Sequence, residues 1–439
     1  MTNKQHEKNL RKYLKNQAEP EVHLLDTFNV RFQHCLVVPF YREPAAALLR
    51  HTAAIDRQGN TLLIAVSNRP ETDGSTEWHR ELFKDLGDTP AWHSDDQVLA
   101  LFPTRNHSAV LVVDRVIAGA PIAGEQGVGL ARKIGADIAC QLIASQHIAS
   151  PWIGNTDADA YLPDDYFEVQ CLQPETAALV YPFQTLFVDN RPRLPSLLYD
   201  FSLHYYVEGL RWAGSPYAYH SIGSTLAVRW QNYVQVRGFP KRSGAEDFYI
   251  LSKLAKTGAV KSLNSPLVKL EARHSDRVPF GTGPATARLA QMPDPLNMPL
   301  YHPAGFTYLK AWLELLRQLA TAPQPYSPLL EVVTREQSAD LDPDQLQRCG
   351  KALKLDAALA HCYQQGRDAT SRLRHLHAWF DGFKTLKLIH LLRDQSLGTI
   401  PFRQWREQNL TWGQTGSEPM QRIQAEIEWL TCTPAPSGE

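Results

Sequence analysis

Short apolar runs alternate with helical patterns through the first two-thirds of the chain. The runs at residues 36–40, 61–66 and 109–113 are almost continuously apolar, which is typical of strands buried on both faces of a parallel sheet. In residues 129–145, apolar side chains recur at every fourth position from Leu130 to Leu142, which predicts a helix with one apolar stripe. Strands that alternate with helices in this way indicate an α/β domain.

The pattern continues with a strand at 177–181 and helices at 197–212 and 244–258, and it becomes wholly helical after residue 284. We therefore predict an α/β domain with a mainly parallel sheet flanked by helices, followed by an all-α extension. The predicted bounds are 1–27 for a helical or disordered N-terminal arm, 28–285 for the α/β domain and 286–439 for the helical C-terminal domain.

Composition narrows the class of protein. The chain has 439 residues with 45 basic and 46 acidic side chains, for a formal net charge of -1, so its bulk charge suggests neither a nucleic-acid-binding protein nor a membrane-surface protein. The six cysteines form no CxxC pair, as expected of reduced thiols. The polar N-terminus is unlike a secretory signal, and no apolar run approaches the ~20 residues of a membrane span. We expect a cytoplasmic protein that is not transmembrane.

Two acidic residues carry the strongest chemical signal. Asp157 and Asp159 lie one residue apart, directly after the apolar run 148–153. Two carboxylates at the end of a buried strand require a partner, and a hard divalent cation is a natural one. Mg²⁺ takes one or two protein carboxylates and completes its shell with water and phosphate oxygens. The pair therefore points to an enzyme that uses a nucleoside diphosphate donor.

Five motifs in a fixed order extend this signal. They are VVPFYRE at 37–43, GVGLARK at 127–133, DAD at 157–159, GFP at 238–240 and GAEDF at 244–248. In this order the chain resembles the glycosyltransferases of family 2 with the GT-A fold, over roughly residues 28–284. The resemblance implies transfer of a sugar from a UDP- or GDP-sugar to a hydroxyl acceptor, with Mn²⁺ or Mg²⁺ as cofactor.

The resemblance also implies a nucleotide-sugar pocket. Pro39, Phe40 and Glu43 follow the first strand, where such enzymes hold the base. At the end of the second strand many relatives carry an acidic residue, whereas Asn68 stands here, so the choice between uracil and guanine stays open. Arg132, near the start of the helix at 129–145, suits the diphosphate or the sugar.

The remaining roles follow from the same resemblance. Asp159 would contact the metal, and Asp157 the metal, the ribose or the sugar. His274 would complete the metal site, as a histidine does in some metal-dependent relatives. Asp247 is the first candidate for the base that deprotonates the acceptor in an inverting reaction, and Glu246 the second.

Other functions remain open at this level. A retaining enzyme that makes a small glycosylated solute is the close alternative, because the chain has some likeness to the mannosylglycerate and glucosyl-3-phosphoglycerate synthases. A nucleotidyltransferase is disfavoured because residues 37–44 lack glycine, and a non-catalytic carbohydrate-binding protein because the acids are intact. The acceptor is a saccharide, a small metabolite or a lipid-linked glycan, and the C-terminal helices are a possible homodimer interface.

Overall fold

The computed structural model describes residues 3–173, 176–188, 193–272, 281–408 and 416–432. The strands are β1 His34–Phe40, β2 Thr61–Asn68, β3 Trp92–His93, β4 Leu99–Pro103, β5 Ala109–Arg115, β6 Trp152–Asn155, β7 Ala160–Tyr161, β8 Thr176–Val180, β9 Phe183–Leu186, β10 Leu226–Arg229, β11 Ala259–Ser262, β12 Val268–Glu271, β13 Pro299–Tyr301 and β14 Thr399–Pro401. The helices are α1 Asn3–Asn16, α2 Ala45–Gln58, α3 Glu77–Leu86, α4 Gly127–Ala144, α5 Glu168–Cys171, α6 Arg193–Trp212, α7 Trp230–Gln235, α8 Glu246–Leu254, α9 Thr282–Ala290, α10 Pro303–Thr321, α11 Ser327–Gln337, α12 Pro343–Leu353, α13 Leu355–Gln365, α14 Ala369–Trp379, α15 Gly382–Leu392, α16 Phe402–Glu407 and α17 Glu418–Cys432.

The chain divides into two compact units. Unit 1 holds the described residues up to 188 and those from 221 to 272, and unit 2 holds 193–220 and the described residues from 281 onward. Helix α6 therefore groups with the C-terminal helices, although the sequence pattern assigned it to the α/β domain. The predicted domain bounds stay predictions.

Unit 1 is built on one large sheet. Within the described residues it has nine strands in the order β11-β8-β10-β6-β1-β2-β5-β4-β3. The pairings make seven strands run in one direction, while β4 and β10 run against them. The prediction of an α/β fold with a mainly parallel sheet is confirmed at this level.

Helices cover both faces of the centre of this sheet. Gly135 of α4 lies so close to Val37 and Val66 that a Cβ added there would stand 2.4 Å from the Val37 side chain. The neighbouring Val38 and Ala65 belong instead to the core that contains the buried residues of α2. Because successive residues of a strand point to opposite faces, α2 and α4 lie on opposite sides of the sheet.

The strand order creates a crevice at one edge of unit 1. From β1 the chain passes through α2 to β2, and from β5 it passes through α4 to β6, on the other side of β1. Connections that leave neighbouring parallel strands in opposite directions open a ligand-binding crevice at their carboxyl ends. The chain segments that follow β1 and β6 line this point, and the second of them carries Asp157.

The N-terminal segment, for which the sequence left a helix or disorder open, forms helix α1. In α1, Leu10 and Tyr13 are buried, and the Tyr13 hydroxyl donates to Asp137 Oδ1 at 2.6 Å. Lys133 Nζ donates to Asp137 Oδ2 at 2.7 Å and to the Gln17 carbonyl at 3.0 Å. The Lys133–Asp137 pair is therefore an interior contact that fastens α1 to α4.

Unit 2 is mainly helical, and its core includes the fully buried Trp312 and Leu316 of α10. It differs from the all-α prediction because β13 and β14 form an antiparallel pair with Leu300 opposite Ile400. Across the described residues of both units, no helix combines the length and apolarity that a bilayer crossing requires.

Candidate functional site

The acidic turn after β6 has a fixed main chain. The Thr156 N–H donates to the Val37 carbonyl at 3.0 Å. The next three carbonyls each accept a hydrogen bond: from His51 Nε2 to Asp157 at 2.9 Å, from Arg50 Nη2 to Ala158 at 3.2 Å and from the Glu271 N–H to Asp159 at 3.2 Å. Because the main chain is held at each step, the directions of the two carboxylates are set in advance.

His51 acts in this turn as a neutral donor. Its side chain is 1% exposed, and burial lowers its pKa to about 4. A carbonyl oxygen only accepts, so the proton of the ring lies on Nε2. The imidazole therefore adds a hydrogen bond near neutral pH without adding a positive charge beside the acids.

Arg132 joins acids that are distant in sequence. Its side chain is 2% exposed, and its Nη2 lies 2.5 Å from Asp157 Oδ1 while its Nε lies 2.9 Å from Glu246 Oε1. Its Nη1 donates to the Thr156 carbonyl at 3.3 Å. Burial opposes the charged form, but the charges of Asp157 and Glu246 outweigh it and raise the pKa of Arg132 further. A permanent cation thus lies at the centre of the acidic group.

Glycines allow this burial. A Cβ at Gly223 would lie 2.4 Å from Arg132 Nη2, and one at Gly129 would lie 2.3 Å from the Pro240 carbonyl. The Gly129 N–H already donates to the Arg242 carbonyl at 2.9 Å. The first turn of α4 is therefore covered by the chain around residues 240–243.

Asp247 is the second residue of α8 and follows Glu246. Ala245, the residue before Glu246, has φ 56°, a left-handed conformation that costs energy in a non-glycine residue. Asp247 Oδ1 accepts the Phe248 N–H at 2.6 Å. Burial and then the negative charge of Glu246 raise the pKa of Asp247 to about 7, against the opposing effects of that N–H and of Arg132. A carboxylate with such a pKa can take up a proton near neutral pH.

The residues after β1 lie at the crevice with different exposure. Pro39 is half-buried and pairs with Val66 of β2. Phe40 is fully buried, and its ring centroid lies 5.8 Å from that of Trp78. Its ring belongs to the core, and its role in a nucleotide-sugar pocket stays a prediction. Glu43 is 3% exposed and follows Arg42, whose φ of 50° turns the chain towards α2.

Asn68 ends β2 with an unsatisfied acceptor. The residue is 6% exposed, and its Oδ1 has no hydrogen-bond partner. The buried Nε1 of Trp78 in α3 also lacks a partner. Buried polar atoms without partners are costly, so a water molecule or a polar ligand would stabilise these two atoms.

Sequence reasoning missed one polar group beside Asn68. His79 Nδ1 lies 2.7 Å from Ser67 Oγ, and its Nε2 lies 3.1 Å from Asp114 Oδ2. All three residues are at most 5% exposed, and Asp114 also accepts the N–H groups of the turn after β5. A catalytic serine must be accessible to its substrate, and Ser67 is buried. The contact of Ser67, His79 and Asp114 is therefore structural, and it links β2, α3 and β5. Ser67 of β2 lies opposite Asp114 of β5 in the sheet. This contact could have been predicted from the sequence, because both strands end in polar residues.

The metal prediction concerns Asp157, Asp159 and His274. The Asp157 side chain is 38% exposed and Asp159 is half-buried, while His274 lies outside the described residues. Among the residues that are described, no three His, Cys, Asp or Glu side chains form a cluster that could hold a metal. The two oxygen donors of the turn nevertheless fit a Mg²⁺-type ion that takes the rest of its shell from phosphate and water.

No protein-family model and no curated protein matches this chain.

Proposed function

We propose that this protein is a metal-dependent glycosyltransferase that moves a sugar from a UDP- or GDP-sugar to a hydroxyl acceptor, with inversion. The observation that carries the proposal is the convergence on Arg132 of Asp157, from the end of β6, and Glu246, from the start of α8. This convergence lies at the switch point of the sheet, where α/β proteins bind ligands. It joins three of the five motifs on which the resemblance to family 2 rests.

Asp157 and Asp159 are the residues that would hold Mn²⁺ or Mg²⁺. The ion would supply neutralisation of the charge that gathers on the leaving diphosphate. The hydrogen bond from Arg132 directs the Asp157 carboxylate, and the hydrogen bond from His51 fixes the main chain that carries both acids. These two residues are positioning residues, because neither needs to touch the donor.

The base of the nucleotide would occupy the crevice at the ends of β1 and β2. Asn68 Oδ1 would accept a hydrogen bond from a ring N–H or an exocyclic amine, and Trp78 Nε1 would donate one to a ring carbonyl. Both uracil and guanine present such groups, so this pocket supports a nucleotide donor without choosing the base. Pro39 and Glu43 lie on the chain that borders it.

Asp247 would act as the base that removes the proton of the acceptor hydroxyl. Its pKa of about 7 lies near the working pH, which is favourable for general base catalysis. Glu246 is engaged by the buried Arg132 guanidinium, so it suits a supporting role better than a proton-transfer role. The stereochemistry of the product, read by NMR, separates this inverting mechanism from the retaining alternative.

Donor binding can be tested by thermal shift. A panel of UDP-, GDP- and other nucleotide sugars is screened with Mn²⁺, and one donor at about 100 times its Kd should stabilise the protein by about 2.7 kcal/mol. Asp159→Asn should abolish the shift, whereas Asp165→Asn, the same change at an exposed position six residues away, should keep it. Absence of a shift across the panel, or an equal shift in both variants, would contradict the proposal.

A further inference from the structure

Helix α1 presents a row of positive charge on the surface of unit 1. Lys4, Lys8, Arg11 and Lys15 are exposed and follow one another at spacings of four, three and four residues. This spacing places them on one face of a helix. Lys12 and the exposed acid Glu7 lie beside the row. Within the described part of the chain no acidic side chain forms an ion pair with any of these five cations.

The orientation of this row is fixed by the opposite face of the helix. Tyr13 is 3% exposed and Leu10 is 5% exposed, and the Tyr13 hydroxyl both donates to Asp137 and accepts from Lys133 Nζ at 2.8 Å. Further along the same helix, the ring of His6 meets Trp230 of α7 edge-on at 6.2 Å. Because the apolar side of α1 packs against the rest of unit 1, the cations face the solvent.

Unit 1 carries a second group of exposed cations. It consists of Arg237, which follows α7, Lys253 of α8 and Lys256, which follows α8. Burial and then the charges of Arg237 and Lys256 lower the pKa of Lys253, which shows that these three cations lie near one another. Between residues 229 and 262 the acids are Glu246 and Asp247, both committed to the candidate site. In a chain whose net charge is -1, both α1 and the segment 229–262 therefore carry an excess of positive charge.

We propose that the α1 face docks unit 1 onto a membrane surface rich in anionic phospholipid. The 14 residues of α1 extend about 20 Å at 1.5 Å per residue, and the helix lies along the body of unit 1. A helix held in this way can meet an extended flat anionic surface, but it cannot enter a nucleic-acid groove.

Adsorption at this face is electrostatic. None of the exposed large apolar side chains of the described residues lies on α1, so the face offers nothing to insert between the lipids. Basic residues near an anionic leaflet each strengthen binding by about fivefold, and the effect decays within a Debye length. This docking would bring the transferase to a surface where lipid-linked acceptors reside, but it does not depend on catalysis.

The test is a vesicle-binding titration of the full chain without donor or acceptor. Vesicles of phosphatidylcholine containing about 30% phosphatidylserine are compared with pure phosphatidylcholine vesicles at 0.1 M and 1 M salt. We expect binding to the anionic vesicles alone, and loss of that binding at 1 M salt, where the Debye length falls to about 3 Å. The variant Lys4→Gln/Lys8→Gln/Arg11→Gln/Lys15→Gln should lower the partition coefficient by about a hundredfold or more.

The matched control is Arg335→Gln/Lys351→Gln/Arg367→Gln/Arg374→Gln, which removes four exposed cations of unit 2. It changes the net charge equally and should retain vesicle binding. Equal binding by the two variants, or no binding of the unaltered protein to anionic vesicles, overturns the proposal. Binding to duplex DNA or heparin with no binding to vesicles overturns it as well and assigns the row to another polyanion. Unchanged melting temperatures exclude misfolding, and the outcome is independent of the proposed transferase activity.

Discussion

Replacing Arg132 with methionine tests whether a buried cation holds the candidate site together. Methionine keeps much of the length of the side chain but removes its charge and its donors. Glu246, whose side chain is 6% exposed, would then be a buried carboxylate without its cation. The effect on Asp157 should be smaller, because its side chain is 38% exposed and water can solvate it.

The expected cost follows from this burial. Removing one partner of a buried ion pair destabilises a protein by about 3–5 kcal/mol, chiefly because an uncompensated charge remains. Arg132→Met should therefore lower the free energy of opening of unit 1 by about 3 kcal/mol or more. Adding Glu246→Gln removes the stranded charge, so the double variant should be more stable than Arg132→Met alone.

Hydrogen exchange of peptides from α4 and β6 measures this free energy within unit 1. A loss of 3 kcal/mol corresponds to about a hundredfold faster exchange or more. The control Arg57→Met breaks an ion pair whose side chains are 54% and 74% exposed, and it should change exchange little, since exposed pairs contribute at most about 1 kcal/mol. Equal effects of Arg132→Met and Arg57→Met, or no rescue by Glu246→Gln, would refute the reasoning.

Three further outcomes follow from the same structure. Asp247→Asn should keep donor binding but lose sugar transfer. In the unaltered protein the transfer rate should fall as pH drops through about 7, because the Asp247 carboxylate must be ionised to act as a base. His51→Phe removes the hydrogen bond to the Asp157 carbonyl and should lower the free energy of unfolding by about 1–3 kcal/mol. It should also weaken Mn²⁺-dependent binding of the nucleotide sugar, whereas His51→Gln should retain part of the stability and part of the binding. Tyr13→Phe removes a hydrogen bond to the buried Asp137 and should destabilise the contact of α1 with α4 by about 1.5–3 kcal/mol, measured by exchange of α1 amides.

The pH predictions have a definite sign. Because the pKa of Asp247 is raised on folding, the native state holds its proton more tightly, and this residue lowers stability as pH rises from about 4 to about 7. The pKa of His51 is lowered to about 4, so the stability that it contributes is present above about 6.5 and is lost as pH falls towards 4. Normal transfer by Asp247→Asn, or a flat rate between pH 6 and 8, would remove Asp247 from the role of base.

The centre of the fold was predictable because its strands are long and apolar. The runs at 36–40, 61–66 and 109–113 became β1, β2 and β5, and the stripe from Leu130 to Leu142 became α4. The reversed strands β4 and β10 were not predicted, because a strand of four or five residues takes its direction from its neighbours. The two-stranded sheet of unit 2 was not predicted either, because each of its strands has only three residues.

The acids of the candidate site and Arg132 all stand in sequence motifs, and all were predicted as site residues. The burial of Arg132 between Asp157 and Glu246 was not predicted, because it depends on the missing side chain of Gly223, which no local pattern reveals. The burial of Phe40 could have been predicted. It alternates with Val38 on the face of β1 that meets α2, and both belong to that core. The role of Lys133 was hidden because its partner Tyr13 lies 120 residues away.

The release of nucleoside diphosphate tests the central claim most directly. The full chain is incubated with Mn²⁺ and a panel of UDP- and GDP-sugars, and hydrolysis or transfer is followed by the free diphosphate. Our account predicts release from at least one donor, its loss with EDTA and in Asp159→Asn, and its retention in Asp165→Asn. No release from any donor, or release that persists in EDTA and in Asp159→Asn, would contradict it.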